Sequence, residues 1–426
     1  MKARSVAIRL YITRGATIGM MKNIVSDVSR RRFLATAAGA GSAMLLSPAW
    51  LHAADTSPAD TSPAGTSFAG ASTAENDPRV AQILSRTIAI DMHNHVYPAG
   101  TEPHPQHGPQ GNQPPRSQEQ PQVPGLSLAR ELKQSGLTAV CAAFVLDFAQ
   151  NNKPGDARNN FLHWLTAIDA ELEQGHMHRS LNLKDLRAAH DRGQPAIVQS
   201  TEGSMFIEGH LDRVEEVYKR GLRHLQLLHE HDDMVSPLGD TSTSPAHLGG
   251  LTAFGAEVVK ECNRLGIVVD LAHASHPTVL GALKVATQPV IVSHTSLDSR
   301  TAGDPKLLAM MKPHLISKEH AKVVADAGGV VGVWTKMADT LPDFVESIKS
   351  MVDAVGIDHV GIGTDTDLLS ARDGQGTNKA YPGLNVGFFP SVVAEMLRQG
   401  FTPGEIDKVG GGNFCRVFDK VTTSHA

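Results

Sequence analysis

From about residue 80 onward, short apolar runs rich in β-branched residues alternate with longer amphipathic stretches. The runs are 87–91, 137–145, 196–201, 222–228, 267–271, 289–293, 329–334 and 359–363, eight in all. Most are continuously apolar, as expected of parallel strands covered on both faces. Between them the period changes to that of a helix. In 251–265, for example, Phe254, Val258, Val259, Cys262 and Leu265 fall on one stripe. Eight strands alternating with helices predict an α/β chain folded as a (β/α)8 TIM barrel over 79–422. An open doubly wound sheet is the alternative, but no glycine-rich phosphate loop follows the first strand. A long insertion, 100–124, rich in Pro, Gln and His, follows that strand and is expected at the rim of the barrel mouth.

The amino-terminal part is patterned differently. Ser29-Arg30-Arg31-Arg32-Phe33-Leu34 matches the twin-arginine export pattern, and an Ala/Gly-rich apolar run continues to Trp50. That run is short and weakly apolar for a membrane span, which needs about 20 strongly apolar residues. Ala53 and Ala54 offer a cleavage point. The expectation is a signal segment over 1–54, recognised by the twin-arginine export machinery and sending the chain to the periplasm or outside the cell. An uncleaved anchor is the alternative. Residues 55–78 repeat Asp-Thr-Ser-Pro-Ala and continue in small residues. They bury too little apolar surface to offset their ordering entropy and read as a disordered linker.

Composition narrows the chemistry. With 41% hydrophobic residues among 426, the chain has material for one large core. Its net charge of −5 leaves no polybasic footprint for nucleic acid. The three cysteines, Cys141, Cys262 and Cys415, lack C-x-x-C spacing, which argues against a disulfide scaffold and a cysteine-bound zinc. Any metal must use histidine and carboxylate ligands.

In a TIM barrel, chemistry sits at the carboxyl ends of the strands. The first strand ends in Asp91-Met92-His93-Asn94-His95, and a period of two puts His93 and His95 on one side. Paired neutral imidazoles suit a metal. The third strand ends in Glu202, the fourth in His229, the fifth in His273, the sixth in His294 and the eighth in Asp365. Each alone reads as an ordinary polar residue. Six of eight strands delivering such groups to one place is different, because burying them without a cation is costly.

These strand ends stand beside longer stretches: Gly250-Leu251-Thr252-Ala253-Phe254-Gly255, the run 263–273 ending in Asp270-Leu271-Ala272-His273, the run 359–365, and Gly411-Gly412-Asn413-Phe414-Cys415-Arg416-Val417-Phe418. With them the chain resembles the membrane (renal-type) dipeptidases of the metal-dependent amidohydrolase superfamily over 88–418. The resemblance implies a dipeptidase that cleaves the amide bond of dipeptides or similar small amides with water activated by two divalent metals, zinc in the family. By position, His93 resembles a ligand of one metal, Glu202 the shared carboxylate, and His273 and His294 ligands of the second. His229 resembles the substrate-facing histidine, Asp365 the acid/base, and Asp367 a partner behind it. The family often pairs into a homodimer.

The chain departs from the family in two places. The family has H-x-D after the first strand, and here His95 stands at the Asp position; an imidazole still ligates zinc. The family's substrate-binding arginine corresponds to His314, inside an altered loop over 297–317, with Arg300 as the other candidate to hold substrate. A lactonase or esterase of the same superfamily is the competing enzymatic reading. A non-catalytic exported metal-binding protein is the reading from another class.

Overall fold

The computed structural model describes residues 77–98, 101, 126–147, 153–230, 236–300, 305–370 and 374–424. The stretches read above as a signal segment and a linker, up to residue 76, and the insertion at 100–124, apart from Thr101, lie outside the described residues. The helix Pro78–Leu84 starts inside the stretch assigned to the linker. Asp77 caps it by accepting a hydrogen bond from the Arg79 amide, with Pro78 in the first turn.

Ten strands form one parallel sheet: β1 (Ile90–His95), β2 (Ala139–Val145), β3 (His178–Arg179), β4 (Ala196–Glu202), β5 (Leu222–Gln226), β6 (Val268–Asp270), β7 (Ile291–Thr295), β8 (Val330–Val333), β9 (Val360–Ile362) and β10 (Thr366–Asp367). Their order is β10-β1-β2-β4-β5-β6-β7-β8-β9, with β3 lying beside β4. β9 and β10 are two pieces of one strand, interrupted at 363–365. The second piece pairs with β1 through Asn94–Thr366 and His95–Asp367, which closes the barrel.

Each predicted run overlaps one barrel strand. The first strand is displaced: it begins at Ile90 and continues through His95. Its polar end belongs to the sheet because buried partners satisfy it. Asp91 accepts hydrogen bonds from the Thr364 amide (2.8 Å) and hydroxyl (2.6 Å), and Asn94 Nδ2 donates to Asp91 Oδ2 at 2.9 Å. β3 is only two residues long, too short to leave a periodic signal. The predicted helix at 251–265 begins at Ala253, because the Thr252 side chain caps it through the Gly255 amide. The altered loop at 297–317 contains a short helix, Pro305–Met311, and a 3-10 turn, Lys312–His314.

The barrel interior is apolar at one end. Met92, Cys141, Val198, Val268, Ile291 and Val330 pack there against Phe414, Val417 and Phe418 of the closing helix Asn413–Thr423. Alternate strand residues such as Val140, Ile197, Leu225, Val269 and Val331 face the surrounding helices. The polar residues are thus gathered at the opposite, carboxyl-terminal mouth. Gly332 and Gly363 flank this region; a Cβ on either would run into the Ser293 carbonyl oxygen. Their bareness lets β8 and β9 close on the end of β7, beside His294. All three cysteines are buried and unbridged. No helix among the described residues is long and apolar enough to cross a membrane.

Candidate metal centre

Glu202 is the hub of the mouth. It ends β4 with only 2% of its surface exposed, and five imidazoles from four strands surround its carboxylate. The Nε2 atoms of His229, His273, His294 and His93 lie 3.3, 3.4, 3.5 and 3.6 Å from Oε1, and His95 Nε2 lies 3.7 Å from Oε2. His93 and His95 come from β1 and His294 from β7. His229 and His273 lie just past β5 and β6.

These spacings are long for hydrogen bonds and natural for ligands sharing a cation. Four ligands held about 2.0–2.1 Å from zinc in a tetrahedron lie about 3.3–3.4 Å apart. His93 is fully buried, and its Nε2 has no hydrogen-bond partner. A buried imidazole nitrogen left this way is costly unless something else occupies it. His273 Nε2 and His294 Nε2 face each other at 2.9 Å, where one proton serves at most one of two lone pairs. The ligand atoms fall into overlapping groups: His93, Glu202 and His294; His93, His95 and Asp365; Glu202, His229 and His273; Glu230, His273 and His314. The donor set fits divalent cations of the zinc type.

Two of these residues hold unusual backbone. His273 (φ 65°) and Asp365 (φ 55°) are non-glycine residues in the left-handed region, at a cost of about 1–3 kcal/mol each. At Asp365 the strand breaks between β9 and β10, so the carboxylate stands at the mouth. Its Oδ1 is 3.0 Å from His95 Nε2 and its Oδ2 is 3.8 Å from Lys336 Nζ. Burial pushes the Asp365 carboxyl up, but Lys336 and His95 outweigh it and hold it well below the usual range.

The electrostatics favour one anionic carboxylate among mixed imidazoles. Burial opposes ionisation of Glu202, yet the imidazoles of His229 and His93 hold its carboxyl well below the ordinary value. Burial and the neighbouring His93 push His294 well down, so it stays neutral and offers a lone pair. Burial also works against protonated His229, but Glu202 and Asp147 raise it to about 10. Beneath the centre, Asp270 is locked by His224 Nε2 at 2.9 Å and by the amides of Ala272 (3.0 Å) and Ser293 (2.9 Å). These bonds tie β5, β6 and β7 together directly under His273 and His294.

The residues singled out in the sequence therefore divide. His93, His95, Glu202, His229, His273, His294 and Asp365 meet at one mouth. His314 joins its edge, with Nδ1 3.4 Å from His273 Nδ1 and Nε2 3.5 Å from Glu230 Oε1. Arg300 is engaged elsewhere: its guanidinium donates to the Asp343 carbonyl oxygen at 3.3 Å. Asp367 pairs with β1 through its backbone and accepts from the Leu369 amide at 2.8 Å.

Four further residues at the mouth carry no motif: Asp147, Glu230, Lys336 and Tyr97. Asp147 Oδ1 lies 2.6 Å from His229 Nδ1, and the Tyr97 hydroxyl lies 3.1 Å from His95 Nδ1. Asp147 follows β2 by two residues, so extending the strand-end rule past the last apolar position would have found it.

A closed parallel barrel whose strand ends bring histidines onto one buried carboxylate places this protein in the class of metal-dependent amidohydrolase barrels. The chain belongs to the membrane dipeptidase family, peptidase family M19, whose sequence model matches residues 78–426. A dipeptidase, verJ, from Clonostachys rogersoniana is 31% identical over 241 residues, covering 54% of this chain and 56% of that protein. The match thus spans little more than half of that relative's length. Among solved structures, the probable dipeptidase PvdM from Pseudomonas aeruginosa superposes with a TM-score of 0.64 at 17% identity, over 83% of this chain and 100% of that one. A metallo peptidase from Rhodobacter sphaeroides, liganded with a phosphinate mimic of the dipeptide L-Ala-D-Ala, superposes with a TM-score of 0.56 at 17% identity, over 70% and 92%. Both likenesses concern the fold.

Proposed function

We propose that the protein is an exported dipeptidase that hydrolyses the amide bond of dipeptides or similar small amides, using two divalent cations of the zinc type. The observation that carries this reading is the Glu202 carboxylate ringed by five imidazole Nε2 atoms at 3.3–3.7 Å, one of them buried without a partner. His93, His95 and Glu202 would hold one cation, and Glu202, His273 and His294 the other. When bound, the cations supply the Lewis acidity that polarises the scissile carbonyl and acidifies the attacking water.

The chain's own residues do the rest. Asp365, anionic and at the mouth, accepts the proton of the attacking water and returns it to the leaving amine. His229 is held by Asp147 at Nδ1, and in its protonated form its Nε2–H donates to the carbonyl oxygen as negative charge develops there. The twin-arginine pattern at 29–34 supports export to the periplasm or beyond.

The test is metal analysis of the purified chain together with a dipeptide panel. The expected result is close to two bound divalent ions per chain and hydrolysis that a chelator abolishes and zinc restores. Absence of dipeptide hydrolysis, or hydrolysis indifferent to the chelator, rejects the reading.

A further inference from the structure

We propose that Lys336, in the loop after β8, is the residue that recognises the free α-carboxylate of the substrate. The inference rests on the dipeptidase reading above and adds a specificity residue to it. The amine released from a dipeptide is an amino acid, so its nitrogen carries a carboxylate one carbon away. If that nitrogen receives its proton from Asp365, covalent geometry and one hydrogen bond place a carboxylate oxygen within about 6 Å of the Asp365 carboxyl. A cation belongs there.

Lys336 fits the position. Its Nζ stands 3.8 Å from Asp365 Oδ2, while the other Asp365 oxygen is taken by His95 at 3.0 Å. Among the described residues, no other lysine or arginine is ion-paired with a residue of this centre. Arg300 is turned to the Asp343 carbonyl. His314 has Nδ1 against His273 and Nε2 against Glu230, so both of its ring nitrogens already face a partner. The Lys336 side chain keeps 37% of its surface exposed, so it reaches an entering molecule. The same loop leaves another donor unmet: Trp334, beside His294 and His314, has a buried Nε1–H with no acceptor.

The experiment compares a hydrolysable dipeptide with its C-terminal amide, in the metal-loaded wild type, Lys336→Met and Lys336→Arg. Loss of one charge-assisted contact predicts that the ratio of kcat/KM for free acid over amide falls by about 10–100-fold in Lys336→Met. The change is expected in KM for the free acid, with recovery of the ratio in Lys336→Arg. An unchanged ratio overturns the assignment. So does an equal loss on both substrates with a shifted pH profile, which would make Lys336 a tuner of Asp365 alone. A wild type that hydrolyses neither compound overturns the dipeptidase reading and takes this assignment with it. A wild type that hydrolyses both, beside a variant of unaltered preference, overturns the assignment only.

Discussion

His229 Nδ1 lies 2.6 Å from Asp147 Oδ1, and this contact turns the other ring nitrogen toward Glu202 at 3.3 Å. The carboxylate fixes the orientation of the ring and accepts its Nδ1 proton. Asp147→Asn is expected to lower kcat by about 10–100-fold with bound metal retained. Steady-state kinetics alongside metal analysis checks this, and wild-type kcat would remove His229 from the reaction.

Asp365→Asn keeps the shape of the side chain and removes its basicity. Turnover is expected to fall by about 100- to 10,000-fold, while metal content, measured on the same preparation, stays near that of the wild type. An active variant would assign the proton transfer to another group.

Glu202→Gln tests the hub. Removing the one anionic group that all five imidazoles face is expected to cost most of the bound metal. The metal-free wild type and the variant should then differ little in activity. Equilibrium dialysis with zinc provides the readout; undiminished binding in the variant would show that histidines alone suffice.

Asp270 gives a pH signature separate from the metal. Burial raises its carboxyl, but the hydrogen bond to His224 brings it down to about 2 from an ordinary 3.8. A lowered folded-state value means stabilisation that is present above about 4 and lost as the pH falls toward 2, amounting to about 2 kcal/mol. In the metal-free protein, urea midpoints measured from pH 6 to pH 2.5 should fall more steeply for the wild type than for Asp270→Asn. Parallel curves would contradict this.

Gly332→Ala introduces a methyl group where the Ser293 carbonyl already stands. Relieving that clash requires moving β7 or β8, at an expected cost of about 1–3 kcal/mol in unfolding free energy and some loss of metal affinity. Thermal unfolding with and without zinc reads both.

Much of this architecture is written in the sequence because parallel barrel strands are apolar on both faces and therefore stand out as unbroken runs. The strand ends are legible for a related reason. Histidines and acids at the close of apolar runs, such as Ser293-His294, have no ordinary reason to be buried. What stayed hidden depends on contacts distant in sequence. β1 extends through Asp91–His95 because Thr364, some 270 residues away, satisfies Asp91. Asp147 and Lys336 acquire roles only through the partners the fold brings to them. Arg300 and His314 illustrate the converse: position along a loop cannot say which way a side chain turns, and the helix Pro305–Met311 inside that loop was masked by its length of seven residues.

The scatter of the ligands along the chain has a consequence for biogenesis. First and last ligands, His93 on β1 and His294 on β7, stand some 200 residues apart, so no intermediate lacking β7 possesses the complete coordination sphere. Ion capture then comes after β7 has docked beside β1, and an ion once captured resists their separation. Protease resistance of the mature protein should accordingly track occupancy of the site in an all-or-none manner.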